Sequence, residues 1–349
     1  MLDKDNSIRS CSSDLVENDY IEERDGQKRV VVNEWEKLTA PSNRRLNVKG
    51  IDTPLIFTWS IDRLTIVGKL QDSIIFYNDV DVFVLDFEQL MMINEGQGNL
   101  ESAGRNAWVL LDQYGENVAY IEMLKFQKGY GRIDFNPNKI KSFLVDSMKH
   151  FIHKLFLEPH FSRADIACDV IDIPNDFITQ YRIIDPVSFR PIYGRSGALE
   201  TAYWGSRSSE RQVRMYNKKL EQKNKKKIIP KEIKTWWRLE LQLRRGKASD
   251  WHSIVNESLD SFCSPHFLPV STKAVDRVMI DGLFANHSNW ELLSRPTKYK
   301  YRNLLKQESQ NDILTQYLKS TFSSSSDNLK KELDTWLLGL DVTDENFEI

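Results

Sequence analysis

The sequence predicts an α+β protein in which a curved antiparallel sheet with packed helices is followed by an all-helical C-terminal region. Three observations carry this prediction. Period-two alternation recurs in short runs between residues 62 and 243, with one clear helical pattern among them. Strands and helices do not alternate regularly, as a parallel α/β sheet requires. After Gly246 the strand patterns stop and helical spacing takes over.

Residues 1–50 are acidic, polar and without sustained periodicity, and read as a flexible N-terminal arm with some order around Val30 to Trp35. In Asp62–Gly68, Leu64 and Ile66 alternate with Thr65 and Val67, as on a strand. Trp108–Leu111 and Val118–Met123, joined through Gln113-Tyr114-Gly115-Glu116, read as a hairpin. Gly131–Asn136 is a further strand, ended by Pro137. Lys139–Leu157 places Ile140, Phe143, Leu144, Phe151 and Leu155 at helical spacing. Strands are expected again at Ala164–Val170, Thr201–Gly205, Gln212–Asn217 and Trp237–Leu243. Lys218–Lys227 is a lysine-rich extension closed by Pro230. Helices are expected at Asp250–Leu259, Thr272–Ala285, Tyr299–Lys319 and Asn328–Leu340, with Ser323–Ser326 as a short linker. These patterns divide the chain at 1–50, 51–246 and 247–349.

With 349 residues and 40% hydrophobic content, the chain can bury a sizeable core. Its net charge of −2 gives no sign of a polyanionic partner, but the distribution does. Residues 205–247 hold 15 Lys and Arg against 4 Asp and Glu, a local excess of +11. Cys11, Cys168 and Cys263 have no paired spacing, so neither a disulfide framework nor a thiolate zinc site is expected. No apolar run approaches the ~20 residues of a membrane span, and the N-terminus lacks a signal-peptide core. A cytoplasmic protein with no membrane partner is expected.

Several chemistries are excluded by missing motifs. There is no Gly-x-x-x-x-Gly-Lys-Ser/Thr phosphate loop and no Gly-x-Ser-x-Gly elbow. His150 and His153 are three apart on a helical pattern and read as a solvated pair rather than a metal site. What remains is a tyrosine among cations and a set of strand carboxylates. On a strand, Arg214, Tyr216 and Lys218 share one face. A phenol with a free pKa near ~10 is a poor nucleophile, and flanking cations favour its phenolate while binding a phosphate. On spacing alone Tyr216 reads first as an ordinary half-buried strand tyrosine. Asp165 and Asp169 share a face of their strand, about 13 Å apart. Arg238, Glu240 and Gln242 share a face of another. Carboxylates facing each other on neighbouring strands, about 5 Å apart, suit one divalent cation, with Asp165 and Glu240 the sensible pair. Asp62 and Asp134 are further candidates. The alternative is that these acids pair with Arg163, Arg238 and Arg132. The run Arg295-Pro296-Thr297-Lys298-Tyr299-Lys300-Tyr301-Arg302 mixes cations with aromatics at a helix start, a composition for phosphate and base contacts or for a plain solvated helix end.

Taken together, these stretches resemble a known family. Tyr203-Trp204-Gly205-Ser206-Arg207, Val213-Arg214-Met215-Tyr216-Asn217-Lys218-Lys219 and Trp237-Arg238-Leu239-Glu240 are similar to motifs of the replication initiation factor family of Gram-positive rolling-circle plasmids. The resemblance extends to Ser60–Gly68, Arg132–Asn138, Arg163–Asp169 and Lys298–Arg302, in fixed order over residues 55–340. Ala164 and Cys168 stand where bulkier residues are usual, and the N-terminal arm is longer than the family's. The resemblance implies a homodimer that binds an inverted repeat in double-strand origin DNA and nicks one strand where it is single-stranded. It implies Tyr216 as the nucleophile that becomes linked to the 5′ phosphate, leaving a 3′-OH primer, with Arg214 and Lys218 assisting. It implies Mg2+ or Mn2+ held by Asp165, Glu240 and Asp62, and a host helicase of the PcrA type as partner. Residues 51–246 then form the nicking and joining domain and 247–349 the origin-recognition region. DNA contacts are expected from Arg207, Arg211, Arg295, Lys298, Tyr299, Lys300 and Arg302. A conjugative relaxase and a non-enzymatic origin-binding protein are the alternatives.

Overall fold

The structure, a computed structural model, describes residues 55–71, 100–104, 106–112, 115–184, 188–264, 268, 271–309 and 312–338. Backbone alone is described at 19–24, 27–32, 44–46, 75–77, 82–84 and 98–99, as it is for a few residues inside helices. Within the expected N-terminal arm, Asp19–Arg24 pairs antiparallel with Gln27–Val32 and Arg44–Leu46 with Leu55–Phe57; the rest of the arm lies outside the described residues. The chain forms two compact units that interleave in sequence. Residues 1–37, 61–163 and 328–349 make the first, and residues 38–60 and 164–327 the second. These units do not follow the divisions read from composition at residues 50 and 246.

The first unit contains most of strand β1 (Leu55–Leu70), then β2 (Gly98–Gly104), β3 (Ala107–Asp112), β4 (Asn117–Met123), β5 (Tyr130–Phe135) and helix α1 (Val145–Leu155). The first half of β6 (Phe156–Ile171) completes its antiparallel sheet, in the order β6-β1-β5-β4-β3-β2. Alternation sends Leu64, Ile66, Ile121, Met123, Ile133 and Phe135 into the core. Helix α1 buries Met148, Phe151, Ile152 and Leu155, which lie on one face by their three- and four-residue spacing. The side of β1 and β5 that stays partly exposed carries an ion pair and a hydrogen bond: Asp134 accepts from Arg63 at 2.7 Å and from the Thr65 hydroxyl at 2.8 Å. Deeper in, the buried Lys141 and Asp112 pair at 2.6 Å.

Gly68 is required for close packing rather than for its backbone angle. A Cβ there would stand 2.6 Å from the Cβ of Phe156 and 3.1 Å from the Leu157 carbonyl oxygen. Gly68→Ala is expected to destabilise the protein by about 1–3 kcal/mol, the usual cost of overpacking. A urea titration checks this, and an unchanged midpoint would show that the Phe156 strand gives way without cost.

In the second unit the antiparallel strands run β7 (Phe189–Tyr193), β8 (Leu199–Trp204), β9 (Arg211–Asn217), β10 (Trp236–Arg244), then the end of β6 and the start of β1. Helix α2 (Lys218–Asn224) follows β9 directly; Asn217 caps it, accepting from the Leu220 N–H at 2.9 Å. Helices α3 (Trp251–Asp260), α4 (Ala274–Ala285), α5 (Arg295–Ser309) and the first part of α6 (Ile313–Leu338) complete the unit. Ala202, Trp204, Val213, Met215, Leu239, Leu241 and Leu243 line the apolar side of the sheet. A second core of Ile184, Cys263, Leu268, Ile280, Leu283, Trp290, Tyr301 and Leu305 holds α4 and α5. Cys168 and Cys263 are buried free thiols, and burial pushes both well above the usual thiol range.

Four expectations change on the structure. Ser323–Ser326 is no linker: it lies inside α6, where Ser324 donates to the Ser320 carbonyl at 2.9 Å and Ser326 to that of Ser323 at 2.8 Å. The helix's own carbonyls satisfy these hydroxyls, so a serine run need not leave it. The single helix expected over Tyr299–Lys319 is two, α5 and α6. Asp312, fully buried, accepts from the Thr315 N–H at 3.0 Å and the Tyr181 hydroxyl at 2.8 Å, and so starts a new helix. The helix expected over Lys139–Leu157 is confined to α1, with two 3-10 turns before it, and Phe156 begins β6. The lysine-rich stretch after Asn217 opens with helix α2. Strands β2 and β7 escape sequence patterning because one is rich in Gly, Ser and Glu and the other carries Pro191 at the sheet edge. Among the described residues, no helix is long and apolar enough to cross a membrane.

Candidate active site

Strands β8, β9 and β10 build the site in the second unit. Their register sets Thr201 opposite Tyr216 and Tyr203 opposite Arg214 on one side of β9. On the other side Tyr216 faces Arg238 and Arg214 faces Glu240. Residues directly opposite one another share a sheet face. The charged side chains expected from alternation on β9 and β10 therefore meet on one face, and the apolar residues of both strands take the other. A tight turn, 206–209, joins β8 to β9, and Gly205 begins it at φ 89°, a left-handed angle that favours glycine. Arg207 is exposed in this turn, while Arg211 is half-buried at the start of β9 with its guanidinium 3.5 Å from the Ser258 hydroxyl.

The tyrosine sits among cations. The Arg214 guanidinium lies over the Tyr216 ring at 4.3 Å from its centre, and the Lys218 ammonium stands 5.9 Å from it. Tyr216 is only 6% exposed, beneath an Arg214 side chain that is 26% exposed. Arg214 also donates to Glu240 Oε2. Burial disfavours the Arg214 cation, but Glu240, Tyr216 and Tyr203 outweigh it and hold the guanidinium above its ordinary pKa. Lys218 is buried and pairs with Glu221 at 2.9 Å. Burial raises the Glu221 carboxyl, yet Lys218 and Lys225 bring it down to about 2.

Behind the tyrosine the carboxylates are committed to partners. Asp169, 1% exposed, accepts from Arg238 Nε at 2.8 Å and Nη2 at 2.6 Å, and from the Trp236 indole at 2.7 Å. Glu240, equally buried, accepts from Arg214 on one oxygen and from Gln242 Nε2 at 2.6 Å on the other. Gln242 in turn accepts from Arg244 at 3.1 Å. Asp165 is buried on the same strand as Asp169. Asp62 belongs to the first unit, where it accepts from Asn136 at 3.4 Å. The residues present do not fit a preassembled divalent-metal shell: both Glu240 oxygens and both Asp169 oxygens are taken by cations and amides. Among the described residues no group of three His, Cys, Asp or Glu side chains gathers to hold an ion. The arginine pairing weighed as the alternative for these acids is what the structure shows for Asp169, with Arg238, and for Glu240, with Arg214 in place of the expected partners.

The basic run at residues 295–302 forms the start of α5. Arg295 and Tyr299 are exposed and Lys298 and Arg302 are half-buried. Lys300 points to Asp276, pairing at 2.6 Å, and the buried Tyr301 hydroxyl donates to the same carboxylate at 3.1 Å. Hydrogen bonding from Lys300 lowers the Asp276 pKa. Sequence reasoning missed the Arg238–Asp169 fork as a unit, although both faces were readable. It also missed Arg182, His287 and Trp290, which lie far apart in the chain and form no motif.

A sequence model of the replication initiation factor family matches residues 187–264, the segment that holds β7 to β10 and α3. A replication initiation protein of Staphylococcus aureus is 30% identical over 305 residues, covering 85% of this chain and 90% of its own. A second one from that organism is 34% identical over 208 residues, covering 59% of this chain and 63% of its own. A rolling circle replication initiator protein from Geobacillus stearothermophilus aligns with a TM-score of 0.42 and 17% identity, over 62% of this chain and 89% of that one. The chain belongs to the family of replication initiation proteins.

Proposed function

We propose that this replication initiator starts rolling-circle replication of a plasmid by nicking one strand of its double-strand origin with Tyr216. The observation that carries the reading is the placement of that phenol on a sheet face beside two cations, Arg214 and Lys218. The Tyr216 oxygen attacks the scissile phosphorus in line, and the phenol gives up its proton. The P–O3′ bond breaks, the 3′ oxygen takes up a proton, and the 5′ phosphate remains bonded to tyrosine. The phosphodiester is exchanged rather than hydrolysed, so rejoining needs no ATP. Arg214 acts as the movable part. Turning from Glu240 to a phosphate oxygen would uncover the Tyr216 ring and place a guanidinium on the developing charge. The strand is expected to be single-stranded at the nick, because a duplex holds the phosphate rigidly. Homodimer formation and recruitment of a host helicase of the PcrA type belong to the same reading, supported by the family alone.

One observation favours a second reading, an origin-binding protein that does not cut: Tyr216 is almost wholly covered in this state. Supercoiled plasmid carrying the origin separates the two. The nicking reading expects relaxed product with an extendable 3′-OH end and a protein-blocked 5′ end. Binding without relaxation, across the divalent metals, would leave only the second. Either way, origin affinity is expected to fall steeply with salt, because Lys and Arg contacts displace counterions from phosphates. A log–log slope near zero would remove the basic segments as the DNA footprint.

A further inference from the structure

We propose that a cleft formed by Arg182, Leu283, Phe284, His287 and Trp290, with Arg302 at its side, seats a backbone phosphate of nucleic acid. All of these residues lie in the second unit.

Arg182 is the anchor. Its Nη1 donates to the Thr179 carbonyl at 2.6 Å and the Tyr181 carbonyl at 2.8 Å, and its guanidinium lies over the Phe189 ring at 5.2 Å. Its Nε is buried without a hydrogen-bond partner, and among the described residues no carboxylate pairs with it. Burial lowers its pKa, so the cation is held there at a cost. A guanidinium does not deprotonate at physiological pH, so an anion from outside is what relieves that cost. Arg302 lies over the Trp290 ring at 5.7 Å, bringing a second guanidinium to the cleft wall. His287 packs against Phe189 with the rings tilted at 58° and their centres 5.7 Å apart. Burial first, and then Arg182 and Arg302, depress its pKa, against the opposing pull of the exposed Glu291. Three basic groups thus converge at the cleft.

The opening has room for about one water-sized group, which suits a phosphate oxygen and not a base. Its position on α5 indicates the source. Arg295, Lys298, Tyr299 and Arg302 are spaced by three and four residues and so form one stripe along the helix. Arg302 ends that stripe at the cleft, so a polynucleotide backbone lying along α5 would reach it. The proposal rests on the DNA-binding part of the reading above and is independent of nicking.

The test follows the His287 imidazole by NMR in the full-length protein. Inorganic phosphate is added at constant ionic strength, with chloride as control, and then a short duplex of arbitrary sequence. Bound phosphate favours the protonated imidazole, so the His287 pKa is expected to rise on binding and affinity to strengthen as pH falls through it. The duplex is expected to shift the same resonances and to displace phosphate. Arg182→Gln is expected to abolish both shifts, weaken duplex binding about 10-fold and lower the salt slope by about one. His287→Gln guards against a folding defect in that variant: it is expected to remove the pH dependence while duplex binding persists. If duplex binds the wild type but leaves His287 unmoved, or binds Arg182→Gln with unchanged affinity, the cleft is not a phosphate seat and the DNA-binding reading survives. Phosphate binding that the duplex cannot displace would give the cleft to a free phosphate and overturn the nucleic-acid assignment. Failure of the wild type to bind duplex at all would sink the DNA-binding reading itself.

Discussion

Tyr216→Phe is expected to abolish nicking and covalent capture while leaving origin affinity within a few fold. The substitution deletes one oxygen and keeps the ring on which the Arg214 guanidinium lies, 4.3 Å from its centre. Packing and the nearby charges should therefore survive, and only the attacking atom is lost. The expected loss of strand cleavage is complete within detection, because no neighbouring group replaces a deleted nucleophile that must form the covalent bond. Supercoiled origin plasmid assayed by gel and a binding isotherm on the same preparation give both numbers. A variant that nicks at more than about a thousandth of the wild-type rate would assign the nucleophile elsewhere, since removal of a mere stabilising group typically costs about 10²–10³-fold.

Asp169→Ala is expected to cost about 3–5 kcal/mol of stability, the range for breaking a buried ion pair from one side. The carboxylate is 1% exposed and accepts from both Nε and Nη2 of Arg238, itself 4% exposed, together with the Trp236 indole N–H. Truncation removes the charge that offsets a buried guanidinium. Asp169→Asn keeps one acceptor oxygen and is expected to lose less. The loss bears on the site because Arg238 stands directly opposite Tyr216 across the strand pair. Urea unfolding of the three proteins checks the order, and an Asp169→Ala midpoint equal to wild type would show that Arg238 finds another counter-charge.

Part of this arrangement is legible in the chain alone. Alternation is a local property of a strand, and by itself it puts Arg214 beside Tyr216 and Glu240 beside Arg238 and Gln242. Who faces whom across strands depends on register, which one strand's residues do not carry. Hence Glu240, read as a metal ligand, has Arg214 opposite it and is paired with that arginine. The cover over Tyr216 is equally hidden from alternation, since it comes from a cross-strand ion pair that draws the Arg214 side chain over the ring. The α5–α6 break is invisible in local spacing for a related reason: Asp312 ends one helix pattern through a hydroxyl 131 residues away, that of Tyr181. The Arg182 cleft gathers side chains from separate segments, a neighbourhood made only by folding.

The central claim is that one phenol becomes bonded to DNA. Incubating the protein with a single-stranded origin oligonucleotide, digesting the product with protease and sequencing the nucleotide-bearing peptide by mass spectrometry tests it most directly. The expected adduct is a 5′-phosphotyrosine at Tyr216, within the peptide around Met215 and Asn217. A phosphate on any other tyrosine, or cleaved DNA with no protein attached, would contradict the account.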